Sequence, residues 1–184
     1  RTQRKPLFEM RRELARQFLF EVEFEHTDIQ EALADFWSIH EIPPTAECRA
    51  FAEQLIWGVL ENQEALDVVL RKVAENWDIK RMSKVDRNIL RIAIYEMKFR
   101  PDIPPIVSIN EAVDIARDFS GAVSGKFVNG ILDRISKALV QKAHATRKAI
   151  ALEDLSRIRE RVTVQREQRR VRHSWAFRQL RTFI

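Results

Sequence analysis

The stretch Val85-Asp86-Arg87-Asn88-Ile89-Leu90-Arg91-Ile92-Ala93-Ile94-Tyr95-Glu96-Met97 decides the fold. Its apolar residues Val85, Ile89, Leu90, Ile92, Ala93, Ile94 and Met97 fall at helical spacing on more than one face. A helix of that kind is expected at the centre of the molecule and largely buried. Ser83 and Asp86 have the spacing of a cap whose hydroxyl accepts a backbone N–H. Downstream, Pro101, Pro104 and Pro105 make a stiff link, and Ser108-Ile109-Asn110-Glu111 reads as a capping box. The helix it opens carries Ala112, Val113, Ile115, Ala116 and Phe119. Gly121 and Gly125 bracket a turn, and a last core helix holds Phe127, Val128, Ile131, Leu132 and Ile135.

Upstream of that stretch, Trp77-Asp78-Ile79 reads as a short connector. Thr45 caps a long periodic segment reaching about Asn76, with a break expected at Glu61–Gln63 and Gly58 marking a close approach of two helices. Pro43-Pro44 close the preceding region, because the residue before a proline is pushed out of the helical basin. A helix capped by Thr27 or Asp28 turns Ile29, Leu33, Phe36 and Trp37 inward. The first helix starts at Pro6, where a missing N–H costs nothing. Its stripe is Leu7, Met10, Leu14, Phe18 and Val22, with Arg11, Arg12 and Arg16 beside it. No segment of useful length has a strand period, so the fold class is all-α: seven helices in about 140 residues, with short connections.

Composition removes several classes of function. Four glycines in 184 residues are too few for a dinucleotide fold or a phosphate loop, which use clustered glycines to bring N–H groups to phosphates. One cysteine excludes a disulfide framework and a Cys-rich zinc site. No apolar run approaches the roughly 18 residues of a membrane span. Arg1–Leu7 has no signal-peptide core behind it, so a soluble, cytoplasmic protein with no membrane partner is expected. Charge is divided unevenly. Residues 1–136 hold 19 Lys+Arg against 23 Asp+Glu, a net −4, whereas residues 137–184 hold 13 against 4, a net +9. Two regions follow: a helical domain over 1–136 and a basic helical extension over 137–184. Basic extremities suit a polyanionic partner, since each neutralised phosphate releases counterions. Trp175, Phe177 and Arg178 near the end read either as a base-stacking element or as a disordered terminus.

No constellation for catalysis emerges, and neither metal nor cofactor is expected. His26, His40, His144 and His173 lie apart, none with an i, i+4 partner. Cys48, at a helix start, reads as a small half-buried side chain, the other reading being a thiol of lowered pKa. Glu111 is explained by its capping position, and Ser124-Gly125-Lys126 lacks the strand and glycine of a phosphate loop. What remains is RNA binding. Arg12 and Arg16 share a helix face, with Arg11 and Lys5 near, and guanidinium groups suit phosphates and bases alike. Phe127 beside Lys126 is the candidate aromatic, its other reading being a core residue.

Several motifs in order then converge on one family. Val85–Met97 is followed by Asp102-Ile103-Pro104-Pro105, by Ile109-Asn110-Glu111-Ala112-Val113 and by Lys126-Phe127-Val128-Asn129-Gly130-Ile131-Leu132-Asp133. With Arg11-Arg12-Glu13-Leu14-Ala15-Arg16-Gln17-Phe18-Leu19-Phe20, and with Asn76-Trp77-Asp78 and Arg81, this resembles the NusB family of bacterial transcription antitermination factors over roughly residues 5–136. The resemblance implies a seven-helix fold of two small bundles. It implies binding to boxA-type single-stranded RNA, as a heterodimer with the ribosomal protein NusE, during ribosomal RNA transcription, with other Nus factors and RNA polymerase met indirectly. Carried over by position, Arg4, Lys5, Arg11, Arg12, Arg16, Lys126 and Phe127 are the expected RNA-binding residues, and Phe20 and Asp86 the expected partner-binding ones. Val123 stands where many relatives carry a polar or acidic residue. Two further readings stay open: an accessory module of a larger RNA methyltransferase, and a homodimer that masks the RNA face.

Overall fold

A computed structural model describes residues 7–23, 28–39, 45–74 and 82–145. Among these, the chain forms seven helices: α1 (Leu7–Val22), α2 (Ile29–Ser38), α3 (Ala46–Glu61), α4 (Gln63–Val73), α5 (Lys84–Phe99), α6 (Pro105–Ser120) and α7 (Ala122–Ala145). Three starts follow from local chemistry. The Asp28 carboxylate accepts from Gln30 N at 2.8 Å. Thr45 Oγ1 accepts from Cys48 N at 3.2 Å. Ser83 Oγ accepts from Asp86 N at 3.0 Å. Each satisfies one of the orphan donors at a helix N-terminus. Asn62 separates α3 from α4, and its side-chain amide donates back to Gly58 O at 2.8 Å.

α1, α2 and α3 pack as one group and α4 to α7 as another, with α5 against α1, α3, α4, α6 and α7. The two groups share one continuous core, running from Leu14 and Phe18 through Leu55, Ile56 and Leu90 to Leu132 and Ile135. The expected central helix is α5, with Ile89, Leu90, Ile92, Ala93 and Ile94 buried. Gly58 marks the place where α3 meets α5. A Cβ there would stand 2.0 Å from Cζ of Tyr95, so hydrogen is the only substituent that leaves the Tyr95 ring in place.

Two helix starts differ from the sequence expectation. α6 opens at Pro105 with Pro104 as its cap, one turn before Ser108. Pro105 takes the first helical position, where no N–H is needed, and so overrides the Ser108–Glu111 signal. Ser108 is consequently inside the helix and buried, and Glu111 faces Arg12. The α6–α7 joint is Gly121 alone, at φ 88°, a conformation that favours glycine. Gly125 lies inside α7, where its missing side chain lets the helix approach α6: a Cβ would meet Arg117 Cβ at 3.3 Å. α7 then runs without interruption through Ser136 and Lys137 to Ala145.

Candidate nucleic-acid interface

The arginines of α1 share a face, and that face is turned inward. Arg12 is 2% exposed, with its Nε donating to Glu96 Oε1 at 2.9 Å and Glu96 itself 0% exposed. Its Nη1 lies 4.0 Å from Glu111 Oε2. Arg11 is buried too: its Nη2 donates to Glu47 Oε1 at 2.8 Å, and its guanidinium lies 5.3 Å from the Phe51 ring. Arg16 is buried with its guanidinium 3.8 Å from the centre of the Phe119 ring. Burial pulls the Arg16 pKa below its ordinary value, and Glu13 pulls part of the way back. All three groups therefore act first within the protein, because α5 supplies a carboxylate and α3 and α6 supply rings. Arg4 and Lys5 lie outside the described residues.

Cys48 is fully buried. Burial pushes its thiol above the ordinary value, and Arg11 offsets this only in part. The helix-start reading of an activated thiolate is thereby corrected, because desolvation outweighs the nearby cation.

At the start of α7 the arrangement is outward. Lys126 is exposed and Phe127 is half-buried, its inner side packed against the core. Phe127 is thus a ring packed against the core on one side and partly open on the other. Phe119, at the end of α6, is exposed on the other side of the Gly121 joint.

A second region lies where the end of α1 meets the start of α5. Glu23 accepts from Arg87 Nη2 at 2.8 Å and from Arg91 Nη1 at 2.9 Å. Arg91 also grips Asp67 of α4 with two parallel bonds of 2.8 and 2.7 Å. These ion pairs border a cleft of about 350 Å³ lined in part by Leu19, Val22, Glu23, Lys84 and Arg87. Phe20 is half-buried near the end of α1, and Asp86 is half-buried in the first turn of α5. Ser124 Oγ donates to Asp86 Oδ1, which ties the first turn of α7 to the first turn of α5. The acidic residue expected at a protein partner and the Lys126-Phe127 pair expected at RNA are therefore joined through one short helical segment.

The family model described as "NusB family" matches residues 9–137. A transcription antitermination protein NusB of Sorangium cellulosum is 42% identical over 128 residues, 70% of this chain and 90% of that protein. One of Desulfitobacterium hafniense is 44% identical over 138 residues, 71% of this chain and 88% of the relative. The chain belongs to the NusB family. Among solved structures, NusB of T. maritima is 38% identical with a TM-score of 0.64, covering 72% of this chain and 92% of its own. A second, described as antitermination factors NusB and NusE in complex with dsRNA, shares the fold at 24% identity and a TM-score of 0.65, covering 72% of this chain and 97% of its own. The described residues thus have the all-α NusB fold, with seven helices among them.

Within the NusB fold, sequence reasoning missed the ion-pair hub at Arg91 and the contact of Arg16 with Phe119. The spacing of Arg87 and Arg91, one turn apart on a largely buried helix, was the available signal: cations on a buried helix require carboxylates. Nothing local names Glu23 and Asp67 as those carboxylates.

Proposed function

We propose that this chain is a non-catalytic, cytoplasmic, RNA-binding transcription antitermination factor. It binds boxA-type single-stranded RNA together with the ribosomal protein NusE, and meets other Nus factors and RNA polymerase through that complex. The observation that carries this reading is the family match over residues 9–137, with relatives above 40% identity that are transcription antitermination proteins. In this reading residues 1–136 are the RNA-binding helical domain and 137–184 a basic extension of it, with the border between them inside α7.

In this reading Lys126 meets phosphate and Phe127 meets a base, with Arg4 and Lys5 of the N-terminal segment adding cations. Arg11, Arg12 and Arg16 act within the protein, Arg11 on Glu47, Arg12 on Glu96 and Arg16 at the Phe119 ring. Phosphate contacts supply affinity that falls with salt, and the ring supplies a sequence-tolerant stacking contact. The decisive experiment titrates the chain with boxA-like and scrambled RNA, with and without NusE, at several salt concentrations. Phe127→Ala is expected to weaken boxA binding by about 1–3 kcal/mol. Lys126→Ala is expected to reduce the salt slope by roughly 0.7 for a single strand. Equal binding of scrambled RNA, or unchanged affinity in both variants with an intact fold, would remove this site.

Phe20 and Asp86 form the NusE side. Asp86 opens α5, where a carboxylate is favoured by the helix dipole. Asp86→Lys is expected to weaken the heterodimer at least tenfold, about 1.4 kcal/mol. RNA binding by the isolated chain should change less than the heterodimer does, and calorimetry with each partner separately reads the two effects. An unaltered heterodimer would take Asp86 out of that contact.

A further inference from the structure

The end of α6 carries a ring that the RNA site above does not use. Phe119 lies in the last turn of α6 and is 43% exposed. The Arg16 guanidinium carbon stands 3.8 Å from its ring centre. A cation so close to an aromatic face is held there by the ring quadrupole. Arg16 is 5% exposed, so its charge is spent on the ring and not offered to a phosphate. The guanidinium in turn limits how the phenyl can swing. Past Gly121, α7 brings exposed Lys126 and half-buried Phe127 to the same helix junction. Gly125 leaves room for the first turns of α7 to lie close against the last turn of α6, where a Cβ would stand 3.3 Å from Arg117 Cβ, so the junction is a packed corner and not a loose turn.

We propose that Phe119 is a second stacking platform for a base of single-stranded RNA, with Arg16 a positioning residue beneath its ring. The proposal rests on the RNA-binding reading. Rings interleaved with cations are what a flexible strand needs, since bases lie flat on aromatic faces while phosphates pair with the charges between them. Phe119, Lys126 and Phe127 supply that order across one joint. A protein partner would be better served by a broader apolar area than one ring beside a lysine.

The test uses the full chain and boxA RNA with 2-aminopurine placed at successive positions, whose fluorescence is quenched on stacking. Wild-type protein is expected to change the signal strongly at two separate positions, one for Phe127 and one for Phe119. Phe119→Leu keeps an apolar cover over Arg16 but removes the flat face. It should lower affinity about tenfold, within the range for one stacked base, abolish the response at one position and leave the salt slope unchanged. Phe119→Tyr should restore affinity and response, and Arg16→Met should weaken the same response without altering the slope. If wild type binds boxA RNA but responds only at the position lost in Phe127→Leu, the platform is refuted and the RNA reading stands. The same holds if Phe119→Leu binds as wild type does, or if it shifts only the sedimentation of the chain, which would make the ring a protein contact. Failure of wild type to bind boxA at all would remove the RNA reading itself.

Discussion

Replacing Arg12 by Ala is expected to lower the unfolding free energy of this chain by about 3–5 kcal/mol, because it strands a buried charge. Glu96 has no exposed surface, and its Oε1 depends on Arg12 Nε at 2.9 Å. Among the described residues its Oε2 has no hydrogen-bond partner of its own. The double variant Arg12→Met with Glu96→Leu should recover most of the loss, since apolar side chains of similar volume avoid the desolvation of both ions. Denaturant unfolding measures both. The same double variant separates stability from recognition: folded protein lacking Arg12 should keep the wild-type salt slope for RNA. A slope reduced by a full phosphate contact would show that Arg12 reaches RNA after all. A single variant as stable as wild type would mean the pair does not hold α1 to α5.

Arg91→Ala is expected to cost a comparable amount, about 3–5 kcal/mol, or a fall of about 10 °C in melting temperature. Its guanidinium donates two bonds to Asp67, one to Glu23 Oε1 at 2.9 Å and one to Asn88 Oδ1 at 3.1 Å. Loss of that group would leave the carboxylates of Glu23, just past α1, and of Asp67 on α4 without their shared cation. Arg91→Lys should rescue less than half of the effect. An ammonium is a single point charge and cannot span both oxygens of Asp67 while holding Glu23. Hydrogen exchange should show α4 opening first, since Asp67 is its polar tie to α5. A lysine variant with the wild-type melting temperature would show that charge alone suffices there and that the fork geometry does not matter.

Both expectations concern residues that the sequence marks only as charged. The helices themselves are local matters, and local signals locate them well. Asp28, Thr45 and Ser83 cap where a short oxygen side chain can reach a free N–H two or three residues on. The apolar faces of α5 foretell its central place because burial on several sides needs a run such as Ile89–Ile94. Gly58 foretells a close approach, which Tyr95 makes. The motif order was enough to name the family. Where two local signals compete, the reading slips: Pro105 and the Ser108–Glu111 box each propose a start for α6, and the proline, fixed in helical φ, prevails.

The direction a charged side chain faces belongs to the tertiary structure. Arg12 and Arg16 sit beside an apolar stripe, and on a lone helix they would point to water. Glu96, 84 positions away from Arg12, draws one of them into the core. Phe119, on α6, takes the other. Periodicity along one helix can say which residues share a face, but a buried charge is tolerated only where a partner from another helix compensates its lost hydration. The chain's own residues determined the seven helices and their family. Packing alone decided that the α1 arginines face inward and that the helix junction at Gly121 presents Lys126, Phe127 and Phe119.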